Sequence, residues 1–288
     1  MTTPVQGSRR HLVVGAAGQL GSAFTRRLAD RGADLIALTR RELDLTDAAA
    51  IAAAVKAARP DVIVNCAAYN AVDQAEDDAP GALAVNAFAV HDLARAASEV
   101  GARLVHYSTD FVFDGTATTP YGEDAPTNPR SVYGQSKLVG EWLALERPGS
   151  LVLRVESLFG GPATRSSIDR IIQTLRSGEA PRVFVDRVVS PSYVEDVIDA
   201  TLALLTADAP GGIYHCVNSG STTWHGLGEA VAGLLGTRVG LQGVAMADVP
   251  MRAPRPQYCA LSNARLGALG IEMPTWQDAL ARHVRSLA

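Results

Sequence analysis

Apolar residues follow two rhythms along this chain. HLVVG (11–15), DLIALT (34–39), DVIVNC (61–66), RLVHYS (103–108) and LVLRVE (151–156) are short, nearly continuous apolar runs, which predict strands covered on both faces. Between most of them apolar positions return at helical spacing, as in AAGQLGSAFTRRLADRG, AAAIAAAVKAA (48–58) and ALAVNAFAVHDLARAASEVG (82–101). Gly32 is a natural C-terminal cap for the first of these. Strand, helix, strand in repetition predicts a parallel sheet with helices on both faces, an α/β fold of the Rossmann-type doubly wound class.

The rhythm changes after residue 156. Gly160, Gly161 and Pro162 interrupt it, and SSIDRIIQTLRSG (166–178) reads as a helix outside the repeating unit. A strand at IYHCVN (213–218), a helix near HGLGEAVAGLLG (225–236), the segment RAPRPQYCALS (252–262) and a closing helix near WQDALARHVRSL (276–287) make a smaller C-terminal lobe. The expected division is a sheet core over 1–160 and the smaller lobe over 161–288, with no linker or internal repeat between them.

Composition narrows the function. At 288 residues and 47% hydrophobic, the chain can bury a sizeable core, and a formal charge of −4 without a long Lys/Arg block gives no reason to expect a nucleic-acid partner. The start MTTPVQGSRRH has no apolar stretch of the secretory kind, and no run reaches the roughly 18–20 apolar residues of a membrane span. A cytoplasmic protein without a membrane partner is the expectation. Cys66, Cys216 and Cys259 are widely spaced with no CxxC pair, which argues against disulfides and a structural zinc, and no metal site is expected.

Two motifs carry chemistry. GAAGQLG places Gly15, Gly18 and Gly21 at every third position between a strand and a helix, where backbone passes close to a pyrophosphate and the helix N-terminus supplies free N–H groups. The second strand then ends in Thr39, Arg40 and Arg41, where NAD sites usually carry an acidic ribose partner. Arginine there can pair with a 2′-phosphate, so NADPH is the expected cofactor, with NADH the alternative. Asp44 and Leu45 follow toward the adenine end.

The strand RLVHYS delivers Ser108, Thr109 and Asp110 at its C-terminal end, and YGQSK puts Tyr133 and Lys137 one helical turn apart on one face. An isolated phenol has a pKa near 10. A nearby ammonium favours the phenolate, so Thr109 holding a substrate oxygen, Tyr133 donating a proton and Lys137 reaching a cofactor ribose form one device for carbonyl reduction. The bland alternative buries Tyr133 against the sheet and pairs Lys137 with Glu141 on a wet helix face.

These motifs together resemble the extended short-chain dehydrogenase/reductases, and within them the dTDP-4-dehydrorhamnose reductase family. GAAGQLG, PDVIVNCAAYNAVDQAE (60–76), VNA (85–87), STDFVFDG (108–115), YGQSKLVGE (133–141), GSTTWH (220–225) and RPQYCALSNARLGALGI (255–271) all match stretches of that family. The resemblance implies reduction of the C4 ketone of a nucleotide-linked deoxysugar, with Thr109, Tyr133 and Lys137 catalytic. It implies cofactor contacts from Gln19, Leu20, Ala67, Ala68 and Tyr69 beside the glycines, and substrate contacts from Val72, Asp73 and Asp110. Asn86 is expected to order backbone behind the site. The likeness also implies that the smaller lobe binds substrate, that segments near 186–200 and 213–218 return to the sheet domain, and that a homodimer is compatible with the chain. Two departures stand out: the family's RTSW appears as RVES (154–157), so Ser157 takes the place of a tryptophan in the sugar pocket, and its GxPT-like stretch appears as VSPS (189–192). Arg255 is a candidate for a substrate diphosphate, with Arg252 as near in sequence.

The competing functions are a dehydratase, an epimerase and a non-catalytic NADP-binding regulatory subunit. A dehydratase typically has an acidic residue after the Thr-Asp pair, where this chain has Phe111, and an epimerase usually has the acidic ribose partner that Thr39 and Arg40 replace. Intact Thr109, Tyr133 and Lys137 argue against the regulatory role.

Overall fold

The computed structural model describes residues 9–162 and 166–287, so the stretch MTTPVQGS lies outside the described residues. Six parallel strands form the sheet: β1 (His11–Val14), β2 (Leu35–Leu38), β3 (Val62–Asn65), β4 (Arg103–Thr109), β5 (Leu151–Val155) and β6 (Gly212–His215). Their order is β6-β5-β4-β3-β1-β2. The chain moves from β1 outward to β2 and then back across to β3, so the order reverses between β1 and β3, where an open α/β sheet offers its ligand crevice.

Side chains alternate across this sheet. Val13, Val64, Val105 and Leu153 join one core with Phe24 of helix Gln19–Asp30 and Val197 of helix Val194–Thr206. Leu12, Ile63, Leu104 and Val152 join a second core with Ile51 of helix Ala48–Ala58 and Leu93 of helix Ala89–Val100. Each such side chain contributes about 1.5–3 kcal/mol by leaving water. A third core fills the smaller lobe, around Phe159, Ile171, Leu227 and Leu280.

Toward the C-terminal ends of β3, β4 and β5 the second face turns polar: Asn65, His106, Ser108 and Arg154 share the parity of Ile63, Leu104 and Val152. Helix Val132–Leu145 covers them and supplies Lys137 and Glu141. It approaches closely because Gly140 has no Cβ, which would lie 2.0 Å from Asn86 O. The stretch expected as one helix over 82–101 is instead α-helical over Ala79–Leu83, widens into a π turn over Ala84–Phe88, and is α-helical again over Ala89–Val100. Asn86 sits in that π turn, accepts from Tyr69 N (2.8 Å), and donates to Tyr69 O (3.1 Å) and Ser136 Oγ (3.0 Å), so it orders backbone as expected.

Candidate active site

The glycine loop is built for close approach. Gly15 has φ +77°, and a Cβ there would lie 2.6 Å from Ala67 N; a Cβ on Gly21 would meet Gly15 O at 2.2 Å. Gly18 caps helix Gln19–Asp30 with no side chain over its first N–H groups. A backbone cradle of this kind fits a pyrophosphate. Gln19 Nε2 donates to Gly160 O at 3.0 Å, joining the loop to the segment after β5.

Two cavities meet at this loop. One of about 290 Å3 is lined by Gly15, Gly18, Thr39, Arg40, Asp44, Leu45, Ala67, Ala68 and Tyr69. Its carboxylates are engaged locally: Asp44 Oδ1 accepts from Thr46 N and Thr46 Oγ1 (2.9 and 2.8 Å), and Glu42 accepts from Thr39 N and Thr39 Oγ1. The other, of about 470 Å3, is lined by Gly18, Gln19, Leu20, Ala67, Ala68, Val72, Thr109, Asp110, Tyr133, Lys137 and Ser157. Most of the residues expected to touch cofactor and substrate therefore line two adjoining cavities that share Gly18, Ala67 and Ala68.

Tyr133 stands at its centre. Its hydroxyl lies 3.4 Å from Asn70 Oδ1, and its ring meets Phe111 edge-on with centroids 5.4 Å apart. Burial, followed by the negative charge of Asp110, pushes the phenol up, and a hydrogen bond from Thr109 opposes them. This differs from the expectation of a phenol lowered by Lys137. The reason is where Lys137 points: its Nζ donates to Tyr107 O at 2.6 Å and lies 3.3 Å from His106 Nε2. Burial brings Lys137 down to about 8, with Glu141 opposing. The wet-face alternative is overturned as well, because Lys137 is 2% exposed and Glu141 is fully buried, bound to Arg154 Nε and Nη2 at 2.8 and 2.7 Å.

Asp110 belongs to a buried cluster that the motifs do not signal as a whole, on the same cavity as Tyr133. Asp110, Glu156 and Cys259 bring carboxylate and thiol atoms within 4.8 Å of one another. Arg187 joins them, donating to Cys259 Sγ at 3.7 Å, with its guanidinium carbon 5.5 Å from the Phe111 ring centroid. Burial raises the carboxyls of Asp110 and Glu156, the charge of Asp110 raises Glu156 further, and Arg187 opposes both shifts. Two buried carboxyls so placed resist being charged at the same time. Asp110 Oδ2, Glu156 Oε1 and Arg187 Nε have no protein partner. These residues come from four separated segments; Asp110 was expected as a substrate contact, whereas Glu156, Arg187 and Cys259 were not singled out for the site. The adjoining Ser157 takes φ 44°, a left-handed conformation.

Among the remaining candidates, Gly21, Asp73 and Arg255 line neither cavity. Arg255 donates from Nη1 and Nη2 to the two oxygens of Asp73 at 2.8 and 2.7 Å, and this pairing holds Asp73 down at about 2. Both were expected to meet substrate separately; they meet each other. Arg252 is likewise paired, with Asp77. Arg255 does reach a further cavity of about 520 Å3, together with Arg170, Arg182, Arg187 and Trp224. Arg170, Arg187 and Trp224 also line the 470 Å3 cavity. A long basic extension thus runs from the reacting centre into the smaller lobe.

Comparisons with known proteins identify the family. The family model for the RmlD substrate binding domain matches residues 9–288. The chain is 39% identical to a dTDP-4-dehydrorhamnose reductase of Streptomyces griseus, over 96% of this chain and 94% of that one. It is 40% identical to a probable dTDP-4,6-dihydroxy-2-methyloxan-3-one 4-ketoreductase of Streptomyces antibioticus, over 94% and 93%. Among solved structures, a dTDP-4-dehydrorhamnose reductase from Bacillus anthracis in complex with NADP superposes with a TM-score of 0.92 at 29% identity, covering 97% of this chain and 99% of that one. With its glycine cradle, strand-end Thr109 and buried Tyr133 and Lys137, the chain belongs to the RmlD family of extended short-chain dehydrogenase/reductases and is an NAD(P)-dependent oxidoreductase.

Proposed function

We propose that the protein is an NADPH-dependent reductase of the C4 ketone of a nucleotide-linked deoxysugar. The observation that carries this reading is a hydroxyl pair, Thr109 and Tyr133, facing the same 470 Å3 cavity as the glycine-loop residues Gly18, Gln19 and Leu20. The relatives named for dTDP-linked sugar ketones support the substrate class.

Gly15 and Gly18 hold the pyrophosphate, with Gly21 letting its helix close onto Gly15; Ala67, Ala68 and Tyr69 border the adenosine half, and Arg40 meets a 2′-phosphate. Bound NADPH supplies the hydride that reaches the ketone carbon. Thr109 holds the ketone oxygen, and the Tyr133 O–H bond breaks to place its proton on the developing alkoxide. The phenol is protonated at neutral pH and so has the proton to give, although burial makes it a weaker acid than a free phenol. Lys137 reaches the ribose. Val72, Asp110 and Ser157 border the sugar, with serine leaving more room than the family's tryptophan. The basic extension suits the diphosphate, and its cations are Arg170, Arg182 and Arg187, because Arg255 is held by Asp73.

The test is NADPH oxidation against a panel of 4-keto sugar nucleotides, with the product configuration determined. Oxidation with at least one of them, and a lower KM for NADPH than for NADH, is expected. Absence of oxidation across the panel contradicts the reading.

A further inference from the structure

Asp110 and Glu156 each bring a carboxyl oxygen without a partner to the cavity that holds Tyr133. Glu156 Oε2 accepts from Ser190 N at 2.7 Å and Asp110 Oδ1 accepts from Thr109 Oγ1 at 2.9 Å, whereas Glu156 Oε1 and Asp110 Oδ2 have no protein partner. The neighbouring thiol of Cys259 donates its one S–H to Pro256 O at 3.3 Å. Both acids line the 470 Å3 cavity beside Tyr133 and Ser157, yet they are 3% and 2% exposed, so little water reaches them. A buried oxygen without a donor destabilises its surroundings, and a ligand that brings the donor removes that penalty.

Charge indicates which donor fits. Fully ionised, the two acids set two negative charges against the positive charge of Arg187. In the free protein a proton relieves the surplus, because burial and then the charge of Asp110 raise Glu156 well above its ordinary value. A hydroxyl can hydrogen-bond here and leave that proton in place, whereas an ammonium replaces it and donates to both free oxygens while both acids ionise. The position on the sugar follows from Thr109. Its hydroxyl, which holds the ketone oxygen, stands 2.9 Å from Asp110, so Asp110 meets a substituent on a carbon next to C4. In a pyranose C5 carries the ring oxygen, which leaves C3 with the free group. Two departures of this chain coincide there: in RVES, Glu156 and Ser157 stand where the family's RTSW has serine and tryptophan, so a carboxyl arrives as a bulky wall is lost. We propose that Glu156, together with Asp110, is a specificity-determining residue for an amino group at C3, so that the substrate is a nucleotide-linked 3-amino-4-keto deoxysugar. The other titratable groups that face this pair are Arg187, Tyr258 and Cys259 toward Glu156, and Tyr133 toward Asp110.

This inference rests on the C4 reductase reading above and names its substrate class. Two sugar nucleotides that differ at C3 alone, one with an amino group and one with a hydroxyl, test it. In the parent protein, kcat/KM for the 3-amino-4-ketone is expected to exceed that for the 3-hydroxy-4-ketone by about 10-fold or more. Glu156→Gln keeps an acceptor for Ser190 N and removes the charge, and it is expected to lower that ratio by about 10-fold or more. Equal values for the two sugars in the parent, or a ratio unchanged in the variant, overturn the proposal. Calorimetry needs neither turnover nor a variant. The parent protein saturated with NADP is titrated with the two 4-hydroxy products near pH 6, where the amine is charged, in buffers of different ionisation enthalpy that count the protons released. The amino sugar is expected to release up to about one proton and the hydroxy sugar none. Equal counts overturn the proposal. Absence of reduction with both ketones contradicts the C4 reductase reading instead, and the proton count still decides the amino-group site.

Discussion

Arg40 and Glu156 show how single side chains set the character of this cleft. Arg40 borders the 290 Å3 cavity where the second strand ends, and the neighbouring acids Glu42 and Asp44 accept from Thr39 and Thr46. Replacing Arg40 with Ala removes the cation for a 2′-phosphate. The expected result is a loss of preference for NADPH over NADH of roughly 10–100-fold, the size of one charge-assisted hydrogen bond, read as the ratio of kcat/KM values. An unchanged ratio places the discrimination elsewhere. Glu156 is buried beside Asp110, so its folded pKa lies above the ordinary 4.5. A group raised in this way stabilises the fold below its unfolded pKa, and the contribution is lost as pH rises toward the folded value. Glu156→Gln is therefore expected to flatten the loss of stability from about pH 4.5 upward, measured by urea unfolding at several pH values. Identical slopes in the two proteins contradict a raised Glu156 carboxyl.

Helix Val132–Leu145 does two jobs, presenting Tyr133 and Lys137 to the cleft and clamping itself to the sheet through Glu141. That carboxylate accepts from Arg154 and, at 2.5 Å, from Ser108 Oγ. Arg154 is 2% exposed and lies 5.0 Å from the Phe113 ring centroid. Glu141→Ala leaves a buried guanidinium unmatched and is expected to cost about 3–5 kcal/mol in chemical denaturation, with Glu141→Met plus Arg154→Met costing less than the single change. A single variant within about 0.5 kcal/mol of the parent contradicts the clamp. Much of this element was legible beforehand. YGQSK gave the helical spacing, continuous apolar runs gave the first five strands and IYHCVN gave the sixth, because these signals are local. Lys137's direction was not legible, since it depends on His106 and Tyr107 O across the sheet. The pairing of Asp73 with Arg255 was hidden for the same reason, as 182 residues separate them. The π turn at Asn86 also escaped, because one widened turn leaves the apolar rhythm almost unchanged.

Taken whole, the molecule holds several histidines where they resist charging. Burial, and then the charge of Arg154, takes His215 from 6.5 down to about 3. Its unfolded form therefore binds a proton that the folded form refuses, and stability falls as pH drops from about 6.5 to about 3, by up to about 1.4 kcal/mol per pH unit. Hydrogen bonds from Asn128 and Thr116 hold Asp114 at about 2, so its contribution, present above the ordinary 3.8, is lost as pH falls further toward 2. Thermal unfolding between pH 7 and 3 is expected to show a steady decline that His215→Gln makes shallower; a flat profile contradicts buried neutral imidazoles. Among the described residues no helix is long and apolar enough to cross a membrane. The cofactor cradle, the hydroxyl pair and the basic extension converge on the C-terminal ends of the strands, and the account rests on Tyr133 acting there as the proton donor. The most direct measurement combines NADPH deuterated at the transferred position with a 4-keto sugar nucleotide, comparing the parent protein and Tyr133→Phe. The account predicts deuterium at the sugar C4 with the parent, and a fall in turnover of about 10²–10⁴-fold in the variant with its NADPH dissociation constant unchanged. Turnover by the variant close to that of the parent contradicts it.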